Sequence, residues 1–123
     1  MKDQHGAELS FKPEDARFIL FETPAEGRPS QAPEDPDWFQ KNRALVVINL
    51  SQFSGFRRRA AESRIEGKPF RVCVIEEAAV AARFPSQNGK FTILQLDESG
   101  KIVAVHFAAP GKELKETVEA HNR

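Results

Sequence analysis

The chain has one cysteine, one methionine, one tryptophan and no tyrosine among its 123 residues. A single cysteine excludes an internal disulfide, a paired-thiol redox centre and a cysteine-based zinc site. Net charge is missing as well. Eighteen basic and eighteen acidic side chains cancel, which argues against a globally basic nucleic-acid binder and against a strongly acidic mimic. No apolar run approaches the roughly 20 residues of a membrane span, so no membrane partner is expected. Residues 1–6 are polar, and the first apolar stretch, residues 18–21, is too short for a secretory core. A cytoplasmic address is the expectation, or a periplasmic or secreted one if a leader has been removed. No glycine-rich phosphate loop with a lysine is present, which disfavours a nucleotide hydrolase.

What is present suits one globular domain, with 40% apolar and 29% charged residues. The charge is segregated along the chain. Residues 1–37 carry a net −5, residues 38–71 a net +6 and residues 72–123 a net −1. This divides the chain into an acidic lead, 1–37, and a main domain, 38–123. An acidic lead can fold over a basic middle, or both can simply be solvated faces.

Residues 1–15 have little periodicity and read as a loose lead. Residues 17–22 form a short apolar run of strand type. Residues 23–37 hold Pro24, Pro29, Pro33 and Pro36 and read as an extended loop, because proline fixes φ and lacks an amide donor. Asp37 is expected to cap one helical turn through Asn42, with Trp38 and Phe39 pinning it to the body. Residues 44–50 are continuously apolar, as in a strand buried on both faces. Ser51 reads as the cap of a helix whose apolar face is Phe53, Phe56, Ala60 and Ile65, stopped by Gly67. A second buried strand spans 70–75. Glu76 and Glu77 then lead into a short helix, 78–84, ended by Pro85. Residues 91–96 and 101–107 form a hairpin about the turn 97–100. A last helix runs from Pro110–Gly111 to His121, with Leu114 and Val118 apolar and the pairs Lys112/Glu116 and Lys115/Glu119 one turn apart. The order predicts an α/β fold, a central mixed sheet of four to five strands with helices on both faces.

The run Val47-Ile48-Asn49-Leu50-Ser51-Gln52-Phe53-Ser54-Gly55-Phe56-Arg57 resembles the thioredoxin strand that leads into Trp-Cys-Gly-Pro-Cys. On that match Phe53 stands for the tryptophan, Ser54 and Arg57 for the two cysteines, Gly55 for the glycine and Phe56 for the proline. Gly89-Lys90-Phe91-Thr92-Ile93-Leu94 resembles the segment carrying the family's cis-proline and threonine, with Phe91 in the proline's place and Thr92 retained. Residues 42–47 together with 89–94 are also similar to small bacterial thioredoxin-like proteins of unassigned function. The resemblance covers about residues 38–123 and implies a thioredoxin-like fold. The departures bear on chemistry. Thiol–disulfide exchange needs a low-pKa thiolate and a second thiol, and Ser54 and Arg57 supply neither.

The reading is a redox-inactive thioredoxin-like module that binds a protein partner and needs no cofactor. Its expected surface is Ser51, Phe53, Ser54, Gly55, Phe56, Arg57 and Arg58, with Phe91 and Thr92 on the turn beside it. Phe53 is the expected exposed anchor, since the tryptophan it replaces in the family is partly exposed. An enzyme or sensor is the alternative, taking a small anion at Ser54/Arg57, where helix amides and a guanidinium favour negative charge, or using Cys73 alone. The arginines at 57, 58, 59 and 64 equally suit a solvated face answered by Glu62. Nucleic-acid contact through them is disfavoured by the zero net charge. Mid-strand Cys73 reads as a buried, inert side chain. His5, His106 and His121 lack metal-ligand spacing, so no metal is expected. Glu76/Glu77 and Asp97/Glu98 sit in a helix start and a turn, where neighbouring carboxylates do not converge on a substrate.

Overall fold

The structure, a computed structural model, describes residues 2–3, 16–23, 35–68, 70, 72–87 and 89–122. Its elements in chain order are β1 (Lys2–Asp3), β2 (Phe18–Glu22), α1 (Pro36–Asn42), β3 (Ala44–Asn49), α2 (Gly55–Glu66), β4 (Val72–Ile75), α3 (Ala78–Ala81), β5 (Phe91–Leu96), β6 (Ile102–Ala108) and α4 (Lys112–His121). The strands form one mixed sheet in the order β1-β4-β3-β2-β5-β6. Strands β2, β3 and β4 are parallel, and β5, β6 and β1 each run antiparallel to the neighbour they join. Five strands have four or more residues. The sixth, β1, departs from the loose lead expected for residues 1–15, because Lys2 and Asp3 pair with Val74 and Cys73.

Strand β2 decides the architecture. The sequence places it in an acidic lead ahead of the main domain, yet it lies mid-sheet between β3 and β5. Phe18, Leu20 and Phe21 are buried, as a central strand covered on both faces requires. The sheet is therefore continuous across residue 37. Most of the proline-rich loop, residues 24–34, and residues 4–15 of the lead lie outside the described residues, and with them both readings of the acidic segment, folded over the basic middle or a solvated face.

Side-chain alternation splits the sheet into two faces. Phe18, Leu20, Val46, Ile48, Val72, Phe91 and Ile93 pack in the main core with Trp38 and Phe39 of α1, Ala61 and Ile65 of α2, and Leu114 and Val118 of α4. Both crossover helices, α1 and α2, share this face. Right-handed connections that step the same way along a sheet put them there. On the other face Phe21, Val47, Cys73 and Ile75 pack with Val80, Ala81 and Phe84 around α3, and the rings of Phe21 and Phe84 stack at 4.3 Å. Helices thus lie on both faces.

Three local expectations shift. Helix α1 begins at Pro36 with Asp35 as its cap, its carboxylate accepting from the Asp37 amide at 3.0 Å. Proline suits this first position because its missing N–H would have had no helical partner. Helix α2 begins at Gly55, after Ser54, so Ser51 does not cap it. Gly67 closes it as expected. Helix α3 ends at Ala81, three residues short of Phe84. The hairpin holds: the Asp97 carboxylate accepts from the Ser99 amide and hydroxyl and from the Lys101 amide. In α4, Lys112 and Glu116 pair at 3.6 Å. Glu119 accepts from Trp38 Nε1 at 3.1 Å, which ties α4 to α1.

Candidate functional site

The parallel strands end together at one edge of the sheet, the place where open α/β folds bind ligands. Asn49, the last residue of β3, organises that edge. Its buried side chain donates to Thr23 Oγ1 beyond β2 at 3.0 Å and accepts from the Ser51 amide and hydroxyl at 3.0 and 2.6 Å. Glu22 is buried at the end of β2 on the same edge. The Leu50 amide donates to the Ile75 carbonyl and the Phe53 amide to the Leu50 carbonyl. The segment from 50 to 54 is thereby pinned to the sheet before α2 starts.

Phe53 is not exposed. It retains 8% of its surface and packs in the main core. The physical reason is the shifted helix start: Phe53 precedes the helix and turns under it, so it does not project from the first turn. The buried face of α2 is Ala61 and Ile65, and the expected stripe of Phe53, Phe56, Ala60 and Ile65 does not form. Phe56 takes the exposed position, at 84% of its surface. Gly55 before it has φ +56°, a left-handed conformation that side chains disfavour. Ser54, Arg57 and Arg59 are exposed. Ser54 caps no helix amide with its side chain, and the first turn of α2 carries no acidic residue.

Arg58 differs from its neighbours. Its Nη2 donates to the Leu50 carbonyl at 3.0 Å, and its Nε is buried with no partner among the described residues. The side chain folds back onto the loop instead of extending into solvent. It braces the start of α2 against the Leu50 carbonyl.

Phe91 and Thr92 do not join this surface. Both are buried, and the Thr92 hydroxyl donates to the Pro85 carbonyl at 2.7 Å. With β2 between β3 and β5, the turn before β5 is not on the strand next to Ser51–Arg58. The expected composite surface separates for that reason. Cys73 is fully buried between β3 and β1, as its place in an apolar strand predicts.

Sequence reasoning missed one meeting of side chains. The rings of His106 on β6 and His121 at the end of α4 lie 4.1 Å apart, tilted by 37°. His106 Nε2 faces Gln95 Oε1 at 3.2 Å and His121 Nδ1 faces the Thr117 carbonyl at 2.8 Å. Burial, and then the neighbouring His121, lower the His106 pKa below its ordinary value. The two residues are fifteen apart, and nothing in that spacing announces the contact. Only the return of α4 over β6 creates it. Among the described residues no group of three or more metal-ligating side chains exists, and no helix is long and apolar enough to cross a membrane.

No family model matches the sequence, and comparison with curated proteins finds no match either. Solved structures do match in shape. One is the solution structure of a protein of Neisseria meningitidis provisionally assigned as a thioredoxin, with a TM-score of 0.59 and 17% identity over 98% of this chain and 84% of that one. Another, provisionally assigned as a protein disulfide isomerase, is from Bacteroides thetaiotaomicron, with a TM-score of 0.53 and 11% identity over 99% and 82%. The bacterioferritin comigratory protein of Xanthomonas campestris, studied for alkyl peroxide reduction, gives 0.51 and 13% over 99% and 90%. The fold is thioredoxin-like, and at these identities the likeness shows the fold alone.

Proposed function

We propose that this thioredoxin-like chain is redox-inactive and acts as a protein-binding module through the first turn of α2. Phe56 is the observation that carries the reading. A phenylalanine left 84% exposed at the start of a helix is poor use of an apolar ring in a free monomer, and aromatic anchors dominate the energetics of protein interfaces. Arg57 and Arg59 flank it in solvent, and the N-terminal end of α2, which no side chain of Ser54 caps, adds positive character. The fitting partner presents an apolar pocket rimmed by carboxylates. Phe53, Phe91 and Thr92 leave the proposed surface, and Arg58 supports it from behind.

The redox half of the proposal rests on Cys73. Exchange needs an accessible thiolate and a resolving thiol. The only sulfhydryl of this chain lies in the sheet interior with no exposed surface.

Two measurements test the proposal. Immobilised wild type, Phe56→Ala and Arg57→Ala proteins are compared for what they retain from the same extract. A partner kept by the wild type and lost by both variants, at unchanged circular dichroism, supports the site. Identical retention by all three refutes it. In an insulin-reduction assay with dithiothreitol, the wild type should stay at the reductant-only background, and turnover above it overturns the redox-inactive reading.

A further inference from the structure

Strand β6 closes one edge of the sheet, pairing only with β5 among the described residues. An edge strand presents a row of backbone N–H and C=O groups that seek another strand. Native proteins blunt such edges with short length, proline, charge or a covering element. The opposite edge of this sheet ends in β1, which is two residues long. Among the described residues strand β6 shows none of these, and its only blunting feature is a bulge at Val103, which has no partner on β5. It runs for seven residues, Ile102-Val103-Ala104-Val105-His106-Phe107-Ala108, without proline or a formally charged side chain. Its one irregularity falls at the Ile102 end, opposite Gln95/Leu96. Its single titratable group, His106, turns to Gln95 and His121.

The same strand concentrates exposed apolar surface. Among the described residues four large apolar side chains are exposed, and three of them are on β6: Ile102 at 56%, Val103 at 58% and Val105 at 42%. Val105 pairs with Leu94 and Phe107 with Thr92, so both lie on the face away from His106 and α4.

We propose that β6 is a dimerisation edge, on which two copies of this chain pair β6 against β6, antiparallel, about a two-fold axis at Val105. The self-complementarity of the strand favours a second copy as the occupant. In that register Val105 faces Val105, Val103 faces Phe107, Ala104 faces His106 and Ile102 faces Ala108. No like charges oppose, and Lys101 falls opposite Ala109, so the two lysines stay apart. Apolar and aromatic cross-strand pairs of this kind stabilise a ladder, whereas like charges directly opposite destabilise it. A two-fold pairing consumes both edges and closes, which yields a dimer and not a filament. This inference does not depend on the α2 surface.

Light scattering coupled to size exclusion, over a range of concentrations, tests it. The wild type should approach twice the 13.8 kDa chain mass as concentration rises. Val105→Lys places lysine against lysine and should weaken the dimer about tenfold or more, and Val105→Glu should do the same. An equimolar mixture of the two variants should restore the dimer, because the opposed charges then attract. That rescue separates a broken interface from a misfolded chain. Hydrogen exchange on the wild type gives a second readout: β6 amides should become more protected with rising concentration. A wild type that stays monomeric overturns the proposal, as does a Val105→Lys protein that remains dimeric or a mixture that stays monomeric while both variants are folded.

Discussion

Phe53 and Phe56 are three residues apart, and the structure gives them opposite roles. Truncating each to alanine separates the roles. Phe53 lies in the main core at 8% exposure. A core phenylalanine-to-alanine change costs about 3–5 kcal/mol, the sum of lost transfer energy and the cavity left behind. Phe53 sits where the chain enters α2, close to the sheet edge, so the lower figure, about 3 kcal/mol, is the expectation there. A chain of this length has about 6–18 kcal/mol of total stability, so the loss is a large share of it. It should lower the Tm by about 10 °C or more. Phe56→Ala removes a ring that touches little, and surface changes of that kind stay within about 0.5 kcal/mol. Alanine is also the better helix former, so the Tm should hold or rise slightly. Thermal and urea unfolding followed by circular dichroism read both effects. A tolerated Phe53→Ala would show that the ring is not core. A Phe56→Ala loss as large as that of Phe53→Ala would show that Phe56 is packed and would remove the proposed anchor.

Cys73 should resist a thiol reagent such as Ellman's in the native protein and react fully in denaturant; fast native labelling would refute its burial. The His106 pKa is lowered in the folded state, by burial first and His121 second. The unfolded chain therefore binds more protons near the ordinary value of 6.5, and stability should fall as pH drops through that value. His106→Gln should flatten that part of a Tm-against-pH curve, and an unchanged slope would sink the assignment. Asp97 is held below its ordinary pKa, first by the Ser99 hydroxyl and then by the Lys101 amide. Its support for the hairpin should therefore persist to mild acid and vanish only as pH falls through its lowered pKa. An NMR titration placing the Asp97 carboxyl at or above 3.8 would contradict this.

Much of the secondary structure was legible because local rules govern it. Continuous apolar runs become β3 and β4, since strands covered on both faces need no polar side. The turn of Asp97 and Gly100 sets the β5–β6 hairpin. Leu114 and Val118, one turn apart, mark the buried stripe of α4. Less of the candidate site was legible. The apolar spacing around Phe53 and Phe56 does not say whether the cap of α2 is Ser51 or Ser54. The hydrogen bonds of Asn49 fix the later start, and those depend on Thr23, twenty-six residues away in sequence. A three-residue shift of a helix start exchanges which aromatic is core and which is exposed.

By itself the sequence determined what is local or compositional: one cysteine and hence no disulfide chemistry within the chain, the apolar runs, the turns, and an α/β order of elements. Tertiary structure decided the rest. It inserted β2 between β3 and β5, and that parted Phe91 and Thr92 from the start of α2. It brought His106 to His121 by folding α4 back over the sheet, and it left β6 at an edge. Strand neighbours are chosen by burial and backbone pairing between distant segments. A single strand's pattern says that it is buried without saying beside which strand.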